Sequence, residues 1–123
     1  MKDIESRADL ELLLGEFYKI ATRDAEIGHH FDGVNLAAHL PVIVGFWEKV
    51  LFGNQAYFGN PLAVHQKIHE KSILKPAHFR RWYDIFAATI DKSFAGTQAE
   101  NAKLRAKMIA HSLNRSLNSS ESV

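Results

Sequence analysis

Apolar side chains recur at steps of three and four residues along every long segment of this chain, and no segment alternates with the period of a strand. An all-α fold is therefore expected, and 123 residues with 46% apolar content suffice for one domain. A chain of that size hides about two thirds of the surface its unfolded form exposes, which leaves no second core. The domain is expected to span residues 1–117. The Ser- and Asn-rich stretch 118–123 reads as a disordered tail.

Punctuation by Gly and Pro divides the chain. Ser6 to Asp9 resembles a capping box with Asp in the Glu place, followed by Leu10, Leu13, Leu14, Phe17 and Ala21 on one face and an end near Asp24. Residues 24–33 are polar and Gly-punctuated, with Phe31 as the large group expected to turn inward and His29 and His30 expected in solvent. A second helix is expected from about Leu36 to Phe52, with His39, Ile43, Phe46, Trp47 and Val50 inward and Pro41 tolerated in the first turn or at a break. A loop with Tyr57 and Phe58 follows, and Pro61 suits the start of a short helix carrying His65 and His69. Pro76 opens a long helix with the stripe Phe79, Trp82, Tyr83, Phe86 and Ile90, closed by Gly96. The last helix, from about Gln98 to Leu117, is expected to turn Leu104, Met108, Ile109 and Leu113 inward, with His78 and His111 on helix surfaces.

Charge and composition exclude several classes. Fifteen basic residues against fourteen acidic give a net charge of +1 with no cationic block, so nucleic acid is not an expected partner. The segment Met1 to Arg7 is charged, no run is long and apolar enough to span a bilayer, and a cytoplasmic protein without a membrane partner is expected. The chain has no Cys, which removes disulfides, thiolate metal sites and thioether attachment of a prosthetic group.

The histidines carry the chemical signal. His39 and His65 lie on separate helical segments, each flanked by aromatic residues, at spacings from Trp that suit the two faces of a flat iron cofactor. Tyr18 and Trp82 could bring an O–H and an N–H to the same place, and three polar donors around one small site are costly unless something polar binds there. Other readings compete. A His on a partly apolar helix face is more often a structural residue than a ligand, and an aromatic stripe is more often core. His65 and His69 are spaced like the pair in a zinc-binding HExxH motif, but Gln66 stands where the general base would be.

At these residues the chain resembles the truncated haemoglobins, specifically their third group. The resemblance runs from about Asp9 to Leu117 through EFY ending at Tyr18, GHHF ending at Phe31, HLPVIVGFW from His39 to Trp47, YFGNPLAVH from Tyr57 to His65, and HFRRWYDIF from His78 to Phe86. The run FAGTQAENAKLRAKMIA from Phe94 to Ala110 extends it, and the Gly-Gly junctions of other groups are absent. The resemblance implies a two-over-two helical sandwich around a non-covalent haem b. It implies His65 as the proximal iron ligand, with His69 one turn on as the alternative. Tyr18, His39 and Trp82 would act on the bound ligand, and Phe31 would pack on the porphyrin with Ile43 one turn beyond His39. The implied lining is Phe31, His39, Ile43, Phe46, Trp47, Tyr57, His65, Trp82 and Phe86.

What the resemblance implies of function is binding of O2, NO or CO in a polar distal pocket. Nitric oxide dioxygenation or peroxide chemistry is compatible with such a pocket, and either would draw on an electron-donating reductase. His39 could itself coordinate iron at rest. A gas or redox sensor would use the same pocket with an output partner, and a helical interaction module would need no cofactor. A monomer is expected.

Overall fold

The computed structural model describes residues 1–53, 65, 68–69 and 73–118, and every regular element among them is helical. Helix α1 spans Arg7–Ala21, a 3-10 turn spans Gly28–Phe31, and α2 spans Leu36–Phe52. Helices α3 and α4 follow at Pro76–Ser93 and Thr97–Asn118. Between α2 and α3, His65, Ile68 and His69 are also helical. The loop residues Tyr57 and Phe58 and the helix start at Pro61 lie outside the described residues.

Local chemistry sets the helix limits. Ser6 Oγ accepts the Asp9 N–H at 3.4 Å, as the sequence suggested. The Asp9 carboxylate reaches back to Glu5 N–H at 2.9 Å rather than to Ser6, and it also holds Lys2 at 2.7 Å, so the capping box closes one residue early. The helix ends at Ala21, short of the expected Asp24. Asp24 instead accepts the N–H groups of Glu26 and Ile27, the side-chain-to-backbone turn that competes with helix continuation. Asn35 caps α2, and Gly53, at φ +75°, ends it in the left-handed conformation that glycine adopts without strain. Pro41 is interior to α2, with no break. Its missing N–H leaves the Ala37 carbonyl unpaired, and both residues are exposed, so water can satisfy that carbonyl.

Helix α1 packs on α2, α3 packs on α4, and the two pairs cross, α1 against α3 and α2 against α4. The core at the crossing holds Leu10, Leu13, Leu14 and Phe17 of α1, Val44, Trp47 and Leu51 of α2, Ile85, Phe86 and Ile90 of α3, and Ala99, Ala102 and Ala106 of α4. Phe86 is its aromatic centre: Trp82 stacks on it at 5.5 Å and 4°, Trp47 at 5.0 Å and 23°, and Phe17 meets it edge-on at 5.6 Å. A satellite cluster of Leu74, Phe79, Ala110, Leu113 and Leu117, with Ile68 against it, closes the other end of the α3–α4 pair.

Three expectations are corrected. Leu104 and Met108 are 56% and 54% exposed, and α4 instead turns Ala99, Ala102, Ala106 and Ala110 inward, because small side chains let it lie close against α3. The stretch Met1 to Arg7, charged in the sequence, sends Ile4 into the core at 1% exposure. There Ala95 N–H donates to Lys2 O, and the Asp3 carboxylate accepts Gln98 and Ala99 N–H at 2.9 and 2.8 Å, capping a helix more than ninety residues away. Finally, Ile27 and His30 are buried beside Phe31, so Phe31 is not the sole inward group of its turn.

Candidate functional site

Helix α2 presents two adjacent rows. Val44, Trp47, Glu48 and Leu51 are buried, and His39, Ile43, Phe46 and Val50, spaced four, three and four, form a half-buried row beside them. The sequence suggests one inward face of His39, Ile43, Phe46, Trp47 and Val50; in the structure Trp47 belongs instead to the buried row with Val44, Glu48 and Leu51. The second row is where α2 meets Tyr18 of α1, on which Phe31 of the 3-10 turn rests.

A polar couple occupies one end of that row. Tyr18 Oη lies 3.2 Å from His39 Nε2, a hydrogen bond whichever atom holds the proton. Two aromatic rings pack on its Tyr18 side: Phe31 meets Tyr18 edge-on at 5.7 Å and 86°, and Phe17 does so at 5.1 Å and 74°. Burial pushes the Tyr18 phenol well above its ordinary pKa, so it stays a neutral donor at any physiological pH. Burial, and then the charge of His65, hold His39 below the ordinary imidazole value. That second cause brings His65 within electrostatic reach of His39, although the two belong to different helical segments.

Of the two candidate iron ligands, His69 is engaged elsewhere. Its Nδ1 accepts the Leu74 N–H at 3.1 Å, in the turn that leads into α3. A neutral imidazole accepting at Nδ1 carries its proton at Nε2, the reverse of the arrangement in which a ligating His donates from one ring nitrogen and offers the other to a metal. His65 acts electrostatically on His39, and Tyr18 and His39 are polar groups in otherwise apolar, aromatic surroundings.

The remaining predicted residues fall into two groups. Ile43, Phe46 and Trp82 are half-buried at the edge of the core. Trp47 and Phe86, at 3% and 1% exposure, are inside the core and stacked on each other. Tyr57 lies outside the described residues. Among the described residues no group of three or more His, Asp, Glu or Cys is placed to hold a metal ion.

Sequence reasoning missed His30 and His78. Both had been assigned to the surface, yet His30 is 8% exposed and its Nε2 lies 3.1 Å from Nδ1 of the half-buried His78. Burial, then the charges of His29 and His78, push His30 down to about 4. Next to them, Arg81 donates from Nε and Nη2 to Asp24 at 2.8 and 2.7 Å, and that guanidinium holds the Asp24 carboxyl below the usual range. Nothing in the local pattern GHHF distinguishes an exposed His29 from a buried His30; only the return of α3 does.

No family model matches the chain, and no curated protein matches it. Among solved structures, the chain is similar to the group III truncated haemoglobin of Campylobacter jejuni, with 22% identity, 95% of each chain covered and a TM-score of 0.84. Four described helices in two crossed pairs, matched over almost the whole of both chains, give this protein the fold of a truncated haemoglobin.

Proposed function

We propose that this chain is a haem-binding globin that takes O2, NO or CO, with His65 as the proximal ligand and Tyr18 and His39 as the polar side of the pocket. The observation that supports it most is the Tyr18–His39 hydrogen bond, packed by Phe17 and Phe31 on its Tyr18 side, with His65 acting electrostatically on His39. Occupation of His69 Nδ1 by Leu74 N–H favours His65 over its neighbour. A non-covalent haem b fits a chain without cysteine.

Haem would supply the iron that binds a diatomic gas. The chain's own part is the surroundings. Tyr18 and His39 satisfy each other at rest, so neither is an unpaired buried polar group, and a small polar ligand can take up either donor by exchange. Each such bond is worth about 1–2 kcal/mol when shielded from water, which favours holding a ligand over releasing it. Phe31, Ile43 and Phe46 supply the apolar contact that excludes water, and Trp82 lies at the same core edge. A reductase partner and dioxygenase or peroxide chemistry are consistent with a retentive pocket and are not required by it.

The test is a UV–visible spectrum of protein from haem-replete cells in ferric, reduced and carbon monoxide-bound forms, for the parent, His65→Gly and His69→Ala. A Soret band that shifts with carbon monoxide, persists in His69→Ala and in His65→Gly is lost or needs added imidazole, is expected. A folded parent that takes up no hemin sinks the globin reading, and a dependence on His69 alone reverses the ligand assignment.

A further inference from the structure

The 3-10 turn Gly28–Phe31 links two parts of the molecule. At its end, Phe31 rests edge-on against Tyr18, the residue that meets His39. One residue earlier, His30 is tied to α3 through His78, and His29 packs against both, tilted 39° on His30 at 4.0 Å and edge-on to His78 at 5.7 Å by ring centroid.

The proton positions in this cluster are fixed by the backbone. His78 is the third residue of α3, and its Nδ1 accepts the N–H of Lys75, the residue that precedes the helix, at 3.1 Å. A nitrogen that accepts carries no proton, so the hydrogen between the rings belongs to His30 Nε2, and His78 keeps its own on Nε2. His30 Nδ1 is then a bare lone pair, buried and without a hydrogen bond. Both rings are neutral in this arrangement. A second proton has two places to go, and neither is compatible with it. On His30 Nδ1 it would charge a buried ring flanked by two imidazoles. On His78 Nδ1 it would replace the acceptor with a donor, facing both His30 Nε2–H and Lys75 N–H at the positive end of a helix.

We propose that the His30–His78 pair is a positioning contact for the ligand pocket: it fixes the turn that presents Phe31 to Tyr18, and a second proton taken up by the pair releases that turn and loosens the Tyr18–His39 couple. The groups around the pair are His29 from its own turn, Lys75 and His78 from α3, and the Asp24–Arg81 ion pair across the same junction. With its carboxyl held low by Arg81, Asp24 stays charged throughout the range in which an imidazole titrates, so it tethers the junction without following pH. The low value of His30 fits a pair that is neutral when closed.

The link to ligand retention rests on the haem reading, and the test separates the two. On protein without haem, nitrogen-15 spectra of the imidazoles should show His30 as the Nε2–H form and His78 unprotonated at Nδ1. The Phe31–Tyr18 ring cross-peak should weaken as the pH is lowered from 8 to 4.5. On the carbon monoxide complex, ligand dissociation should rise about threefold or more over the same range, the equivalent of one hydrogen bond lost near the pocket. His78→Gln keeps an acceptor that does not titrate, and it should hold the cross-peak and flatten both profiles. His30→Leu should give the loosened state at every pH. If the parent cross-peak is insensitive to pH, or if His78→Gln keeps the parent profile, the positioning role is wrong even where haem binds normally. Should the protein bind no haem, the cross-peak alone decides it.

Discussion

Two residues show how little room the site leaves for substitution. Tyr18→Phe removes the hydroxyl and leaves His39 Nε2 without its partner at 3.2 Å. Carbon monoxide or oxygen dissociation from the haem form is expected to quicken by about five- to thirtyfold, the kinetic equivalent of 1–2 kcal/mol, measured by stopped-flow ligand replacement. An unchanged rate would remove Tyr18 from the pocket. Gly28 is constrained by space: a Cβ there would lie 2.7 Å from the carbonyl oxygen of Thr22, which is backbone and cannot swing aside. Gly28→Ala is expected to cost about 1–3 kcal/mol in urea unfolding and to disturb Phe31, three residues on, along with it. Tyr18, His39 and His65 were legible in the sequence as candidates by chemical type, since they stand out against apolar neighbours. Their pairing was not. The Tyr18–His39 bond spans two helices, and the burial of His30 depends on α3 returning to it, a contact across 48 positions that no local pattern encodes.

Among the elements, helix limits were readable to within a few residues, because caps and breakers act locally: Ser6, Asn35, Gly53 and Pro76 all stand at ends. Facing was less readable where two stripes compete. On α4 the large apolar residues Leu104 and Met108 and the alanines Ala99, Ala102, Ala106 and Ala110 lie on different faces, and close approach to α3 selects the smaller set. The start of α4 illustrates the limit most sharply. Its free N–H groups are capped by Asp3, and Gln98 Nε2 donates to Leu51 O at 3.1 Å, so both anchors come from other elements. Asp3→Ala is expected to lower unfolding free energy by about 1–2 kcal/mol, with Asp3→Asn recovering part of it, as read by chemical denaturation. A loss no greater than that of an exposed surface substitution would show that α4 does not depend on this cap.

For the whole molecule, acid should act in two stages. His30, pushed to about 4, and His39, also lowered, are neutral in the folded protein at pH values where the unfolded chain binds a proton. The unfolded state therefore takes up more protons as the pH drops below the ordinary imidazole value of 6.5, and stability falls from there towards about 4. The carboxylates give the second stage. Lys2 holds Asp9 low and Arg81 holds Asp24 low; for Asp3, burial acts upward, but the N–H groups of Gln98, Ala99 and Ile4 outweigh it. Their stabilisation is complete above the ordinary value of 3.8 and is lost as the pH falls through their lowered folded values. Denaturant titrations of the haem-free protein from pH 8 to 2.5 should show both limbs, and His30→Leu should shrink only the upper one. A single transition confined to the carboxylate range would remove the buried histidines from this account.

The clasp between Asp3 and the first turn of α4 also bears on the order in which the chain comes together. Helices α1, α2 and α3 can each form and meet from neighbouring stretches, but the clasp joins positions 96 apart. Closing so wide a loop gives nothing back until both partners are already placed. The segment around Asp3 is thus the last strap fastened, because it finds its seat only once the stretch as far as Ala99 has been made and placed. Interactions made after the rate-limiting step act chiefly on the speed of opening, so this segment governs how long the folded molecule lasts more than how fast it forms.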